Sequence, residues 1–151
     1  MENQGGHIQH LLKTTLIAQV MSSPVISVHE ADEFHVVEEK FSLHDIRHLP
    51  VVDNHGILAG LITQRDLYKI HSPRRLEDGT WYYDKEMLDG FILKNTMRKD
   101  LFTLRRTNTL EEAIRPIVQF KFGCIPVVDE KGRPTGIITR DNVLKFFLNT
   151  P

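Results

Sequence analysis

The sequence predicts an α/β fold made of two β-α-β-β-α units packed as a pseudo-twofold pair. Three observations predict it. First, a pattern recurs at a fixed offset of 76 residues, pairing Met21 with Met97, Pro50 with Pro126 and Gly60 with Gly136. At that spacing Val51, Val52, Asp53, Gly56, Ile62 and Thr63 also recur, as Val127, Val128, Asp129, Gly132, Ile138 and Thr139. Nine such identities exceed the roughly three expected from ordinary composition. Second, each copy passes from helical to strand-like apolar spacing in the same order. Third, each carries an Asp-x-x-Gly turn between two apolar runs, a hairpin signal. Duplicated units can pack face to face and create related clefts, so function is expected there.

Residues 1–10 show no periodicity around Gly5-Gly6 and are expected to be mobile. Leu11, Leu12, Leu16 and Ile17 open a short amphipathic helix leading into Met21. In the first copy, Val25–Val28 reads as a short strand. Phe34, Val37 and Phe41 fall at helical spacing and predict a helix over 33–44. Leu49–Val52 is a strand, Asp53–Gly56 a turn, Leu58–Ile62 the return strand, and a helix follows from Arg65 to Ile70. Gly56 supplies the positive φ such a turn needs. In the second copy Leu101–Leu104 is a strand, and Leu110, Ala113, Ile114 and Ile117 mark a helix. Thr109 and Glu112 have capping-box spacing. Gly123 is expected to stop that helix in a left-handed conformation. Pro116 predicts a kink or irregular turn, because an interior proline costs about 3 kcal/mol. Ile125–Val128 and Thr135–Ile138 form the second hairpin, and the last helix covers 140–147.

This reading divides the chain into a tail and short helix (1–17), repeat 1 (18–70), an inserted linker (71–91), repeat 2 (92–147) and a C-terminal tail (148–151). In the linker, Ser72-Pro73 stops a helix, Asp78-Gly79 marks a turn, and 84–93 is a candidate helix weakened by Gly90.

Composition narrows the function. The formal net charge is −1 over 151 residues, so a basic nucleic-acid footprint is missing. No apolar run approaches a membrane span, and the N-terminus lacks signal-peptide features. The single cysteine excludes an intrachain disulfide. A soluble cytoplasmic protein is expected.

The sharpest motif closes each hairpin. It reads Gly60-Leu61-Ile62-Thr63-Gln64-Arg65-Asp66, then Gly136-Ile137-Ile138-Thr139-Arg140-Asp141-Asn142. Each is a strand, a Thr, then a helix with Asp or Asn three places on. A Thr N-cap at a helix start favours an anion such as phosphate. Asp66 could accept two hydrogen bonds from a ribose diol. The glycine leaves room for backbone to approach a flat ring. The competing reading is an ordinary capped helix start.

These motifs resemble the CBS domain family, named for cystathionine β-synthase, across roughly residues 18–147. The resemblance rests on Met21–Val28, Leu49–Asp53 and Gly60–Leu67, and on Met97–Leu104, Ile125–Asp129 and Gly136–Val143. It implies a tandem pair, or Bateman module, that binds AMP, ADP, ATP or S-adenosylmethionine in clefts between the copies. It also implies a homodimer that signals to a protein partner and is not an enzyme. Carried over by position, Asp66 holds one ribose and Asn142 the second. Thr63 and Thr139 face phosphate or ribose. Ser22, Pro24 and Val25, with Arg98, Lys99 and Leu101, offer backbone to adenine. His48 and Pro50, with Ile125 and Pro126, line the rings. The uncharged Asn142 departs from the usual Asp and suggests a weaker second site.

Arg47, Arg65 and Lys69 are expected near the first motif, and Arg98, Lys99, Arg133 and Arg140 near the second. Arg65 and Arg140 sit in a first helical turn, where a cation is mildly unfavourable, which hints at an anion. The eight histidines show no metal-ligand spacing. Cys124 reads as a buried small hydrophobe. Trp81-Tyr82-Tyr83 reads as a linker anchor, or as the contact of a scaffold that binds a partner with empty clefts.

Overall fold

The computed structural model describes residues 4–70, 74–82 and 93–151. In chain order its elements are α1 (Gln4–Thr14), β1 (Val28–His29), α2 (Phe34–His44), β2 (His48–Val52), β3 (Leu58–Thr63), α3 (Gln64–Ile70), β4 (Arg74–Arg75), β5 (Trp81–Tyr82), α4 (Leu93–Thr96), α5 (Leu110–Phe120), β6 (Cys124–Val128), β7 (Pro134–Thr139) and α6 (Arg140–Asn149). They fall into two compact units. The first-hairpin unit is Ile26–Leu101. The second-hairpin unit joins Met1–Val25 to Phe102–Pro151.

In the first-hairpin unit, β1 runs parallel to β2 and β2 antiparallel to β3. Leu49 and Val51 on β2, with Ile62 on β3, turn into a core closed by Phe34, Val37 and Phe41 of α2. Those three lie at i, i+3 and i+7, the buried stripe of an amphipathic helix. Leu93 and Met97 complete this core. A small hairpin, β4 with β5, turns at Gly79, whose φ is 90°.

In the second-hairpin unit, β6 pairs with β7 in the register that β2 and β3 use, with an irregularity at the matching place. Leu104 makes only an isolated parallel bridge to Val127, where β1 pairs in the other unit. Its N–H donates to the Pro126 carbonyl at 3.1 Å. The Pro126 ring nitrogen faces that same side, where pairing is only beginning, so its missing N–H breaks no ladder. Ile17, Leu110, Ala113, Ile117, Ile125, Val127 and Ile138 form the core. The expected capping box is present: Thr109 Oγ1 accepts from the Glu112 N–H, and the Glu112 carboxylate accepts from the Thr109 N–H.

Several expectations are corrected. The N-terminal segment is helical over Gln4–Thr14, and after it Ile17–Gln19 forms only a 3-10 turn. The strand expected at Val25–Val28 is reduced to Val28–His29, and that at Leu101–Leu104 to one bridge. Apolar residues there have a partner edge only at Val51–Val52 and Val127. α5 runs through Pro116 without a break; the proline is buried on the core side of the helix. The left-handed stop is Lys121, with φ 57°, not Gly123. Its counterpart 76 residues earlier, Asp45, adopts φ 48°. At both places a non-glycine residue accepts the left-handed cost of about 1–2 kcal/mol. The Ser72-Pro73 stop and the candidate helix at 84–93, apart from Leu93, lie outside the described residues, as does Tyr83.

The turn carboxylates make a testable link to pH. Asp53 Oδ1 accepts from the amides of His55 (2.8 Å) and Ile57 (3.0 Å). Asp129 Oδ1 does the same for Lys131 and Arg133, both at 2.9 Å. These amides hold Asp53 and Asp129 below the usual carboxylate range, led by His55 in one turn and Arg133 in the other. A depressed folded value means the stabilisation is present above the unfolded pKa, about 3.9. It is lost as pH falls through the folded value. The urea midpoint is therefore expected to drop below about pH 4. Asp53→Asn with Asp129→Asn keeps the acceptor oxygens and is expected to flatten that limb. An identical acid slope in the double variant would rule the turns out as its source.

Candidate functional site

The two Thr motifs begin as capped helix starts. At the first, the Thr63 N–H donates to Asp66 Oδ2 at 2.8 Å, and the Asp66 N–H donates to Thr63 Oγ1 at 3.2 Å. At the second, the Thr139 N–H donates to Asn142 Oδ1 at 2.8 Å, and the Asn142 N–H donates to Thr139 Oγ1 at 3.2 Å. Each hairpin register sets a neighbour across from the Thr: His48 faces Thr63, and Cys124 faces Thr139.

Each motif borders a segment that is distant in sequence. In the first-hairpin unit, Arg98 and Leu61 exchange backbone hydrogen bonds at 2.9 and 3.0 Å. Leu61 faces Pro50 on the other side of the ladder. The unit therefore gathers His48, Pro50, Thr63, Arg65, Asp66, Arg98, Lys99 and Leu101. Arg98 and Lys99 were expected near the second motif; the backbone carries them to the first. In the second-hairpin unit, Ser22 and Ile137 exchange the equivalent bonds at 2.9 and 3.1 Å. That unit gathers Ser22, Pro24, Val25, Ile125, Pro126, Thr139 and Asn142. The Ser23–Pro24 peptide there is cis. Asn142 Nδ2 also donates to Ser22 Oγ at 3.0 Å.

Burial separates these residues further. Arg65, Arg98, Lys99, Ser22 and Pro24 are exposed; Thr63, Asp66, Thr139, Asn142, His48, Val25 and Leu101 are half-buried. Pro50, Ile125 and Pro126 are fully buried, and Ile125 belongs to the core.

Two expectations are overturned. The glycines do not leave room for a ring. A Cβ on Gly60 would lie 2.3 Å from Met97 Sδ, and one on Gly136 would lie 2.5 Å from Met21 Sδ and 2.9 Å from the Ser22 carbonyl. The recurring methionines fill the space the recurring glycines leave. Nor does Arg140 wait for an anion. Its guanidinium donates to the carbonyls of Phe122 (3.2 Å) and Lys121 (3.1 Å), just past the end of α5. A cation is favourable there, where the helix leaves carbonyls unpaired. Arg133 belongs to its turn, where its backbone N–H donates to Asp129 Oδ1. Lys69 has no described side chain.

Sequence reasoning missed the Ser22–Asn142 contact. Its only trace was that Ser22 stands where the other copy has Arg98. It also missed an open depression beside Asn142, lined by Gln19, Lys145, Phe146 and Asn149 among others. Cys124 is buried in β6. Among the described residues no cluster of three His, Cys, Asp or Glu side chains could hold a metal, and no helix is long and apolar enough to cross a membrane.

Comparison with known proteins agrees with this geometry. The CBS domain family model matches residues 17–72 and again 93–149. A CBS domain-containing protein of Dictyostelium discoideum is 30% identical over 134 residues, covering 88% of this chain and 91% of its own length. The chloroplastic CBS domain-containing protein CBSX2 of Arabidopsis thaliana is 30% identical over 141 residues, covering 83% of this chain. The chain spans 57% of that relative, and about a quarter of some others. The crystal structure of CBSX2 in complex with AMP superposes with a TM-score of 0.72 at 24% identity, covering 89% of this chain and 96% of that one. The CBS domain pair of protein MJ0100, solved with 5′-methylthioadenosine and S-adenosyl-L-methionine, gives a TM-score of 0.71 at 25% identity, covering 88% and 99%. With both copies matched in order by the family model, this chain belongs to the CBS domain family.

Proposed function

We propose that this chain is a regulatory module that binds an adenosine-containing nucleotide and passes its occupancy to a protein partner, as a cytoplasmic homodimer without catalysis. The observation that carries this reading is the adenosine ligand in the structures of two related CBS proteins, 24% and 25% identical to this chain. The Asp66 motif supports it chemically. Asp66 spends one carboxylate oxygen on the Thr63 amide, and the other can accept from a ribose diol. Arg65, Arg98 and Lys99 are exposed cations of the same unit and suit phosphate. His48 and Leu101 are half-buried residues of that unit. The ligand can act as a signal only through different affinity for two arrangements of the protein.

Calorimetric titration with AMP, ADP, ATP and S-adenosylmethionine tests the reading. Asp66→Ala is expected to weaken the best ligand at least tenfold, about 1.4 kcal/mol. It also removes the acceptor of the Thr63 N–H, at a cost of about 1 kcal/mol of stability. Asp66→Asn retains a cap acceptor and separates the two effects. Unchanged affinity in both variants would sink the assignment.

A further inference from the structure

The two motifs differ in what their side chains have left to offer. In the second-hairpin unit the Asn142 side-chain oxygen is spent inside the chain. Its Oδ1 accepts from both the Thr139 N–H (2.8 Å) and the Thr139 hydroxyl (2.9 Å). Its Nδ2 donates to the Ser22 hydroxyl at 3.0 Å. An amide oxygen has two lone pairs, so no acceptor remains for a ribose hydroxyl. Of the cations nearby, Arg140 is spent on the Phe122 and Lys121 carbonyls, while Lys145 lines the depression beside Asn142.

In the first-hairpin unit the equivalent positions are Asp66 for Asn142 and Arg98 for Ser22. Asp66 uses Oδ2 alone. Among the described residues no hydrogen bond reaches its Oδ1, and no ion pair engages Arg65, Arg98 or Lys99. The carboxylate acceptor and Arg98 are thus open at one motif, whereas the amide oxygen and Arg140 are committed at the other.

From this contrast we infer that the chain holds one anionic adenine nucleotide, at the Asp66 motif, and that the Ser22–Asn142 contact is a latch that closes the equivalent motif to ligand. The duplication has divided the labour: one copy of the motif binds, and the other pins residues 21–25 to the second hairpin. Arg98 is the residue that favours a phosphate-bearing ligand over a bare nucleoside. This inference rests on the nucleotide reading above and adds the number of sites and the charge of the ligand.

Equilibrium dialysis with ADP and with adenosine tests it. One ADP per chain is expected for the wild type, and at least tenfold weaker binding of it for Asp66→Ala. Arg98→Ala is expected to narrow the preference for ADP over adenosine by about tenfold, as loss of a charged hydrogen bond would. The latch is read without ligand: Ser22→Ala and Asn142→Ala are compared singly and together by urea unfolding. Coupled groups are expected to make the double variant no less stable than the weaker single one. Two ADP per chain, or one bound to Asp66→Ala with unchanged affinity, overturns the one-site inference and leaves the nucleotide reading standing. An ADP preference unchanged in Arg98→Ala overturns the role given to that residue. Strict additivity overturns the latch. No binding of ADP or adenosine to the wild type overturns both this inference and the reading beneath it.

Discussion

Ile138→Ala is expected to destabilise the second-hairpin unit by about 2–5 kcal/mol. Ile138 has no exposed surface and pairs in register with Ile125, which is equally buried. Around it pack Ile17, Leu104, Leu110 and Val127, from four different segments of the chain. No single element can move in to fill the void, so the cavity is expected to persist and the cost to lie high in that range. Ile138→Val, which removes one methylene, should cost about 0.5–1.5 kcal/mol. Urea unfolding measures both. A loss below about 0.5 kcal/mol for the alanine variant would be a surface effect, and would contradict the placement of β7 over this core.

Gly136→Ala is expected to cost about 1–3 kcal/mol, the range for forcing atoms into a packed site. Gly136 does not need a left-handed backbone; it needs the absence of a side chain. A Cβ would meet Met21 Sδ at 2.5 Å and the Ser22 carbonyl oxygen at 2.9 Å. The methionine can swing away, but the carbonyl cannot, because it accepts the Ile137 amide at 3.1 Å. Relief by Met21→Ala should therefore be partial. The matching pair behaves differently. At Gly60 the two nearest atoms both belong to the Met97 side chain, with the Arg98 carbonyl at 3.1 Å. Met97→Ala should absorb more of the cost of Gly60→Ala than Met21→Ala absorbs of Gly136→Ala. Double-mutant cycles on the two pairs read this difference. Equal relief in both pairs would show that the carbonyl is not the obstacle.

Much of the fold was legible wherever a local rule acts within a few residues. Phe34, Val37 and Phe41 announced α2 by spacing. Asp53 with Gly56, and Asp129 with Gly132, announced the hairpins, and both glycines take positive φ, 76° and 81°. Thr109 and Glu112 announced a cap that is present. Where local rules erred, burial had overruled them. Pro116 stays inside α5 because it packs on the buried face. Lys121 turns left-handed although a glycine stands two residues later.

What the sequence by itself determined is the duplication, the two hairpins with the helices that follow them, and the family. These depend on period, turn chemistry and spacing, which act along the chain. What only the tertiary structure decided is which copy's leading segment lies beside which hairpin. Met21 packs on Gly136 and Met97 on Gly60, and the side chains of Ser22 and Asn142 meet across 120 residues. The repeat itself hides this choice. Both methionines and both glycines are the same residues, so either pairing satisfies the same local chemistry. Only long-range packing selects one, and with it sets Arg98 beside Asp66's hairpin and Ser22 against Asn142.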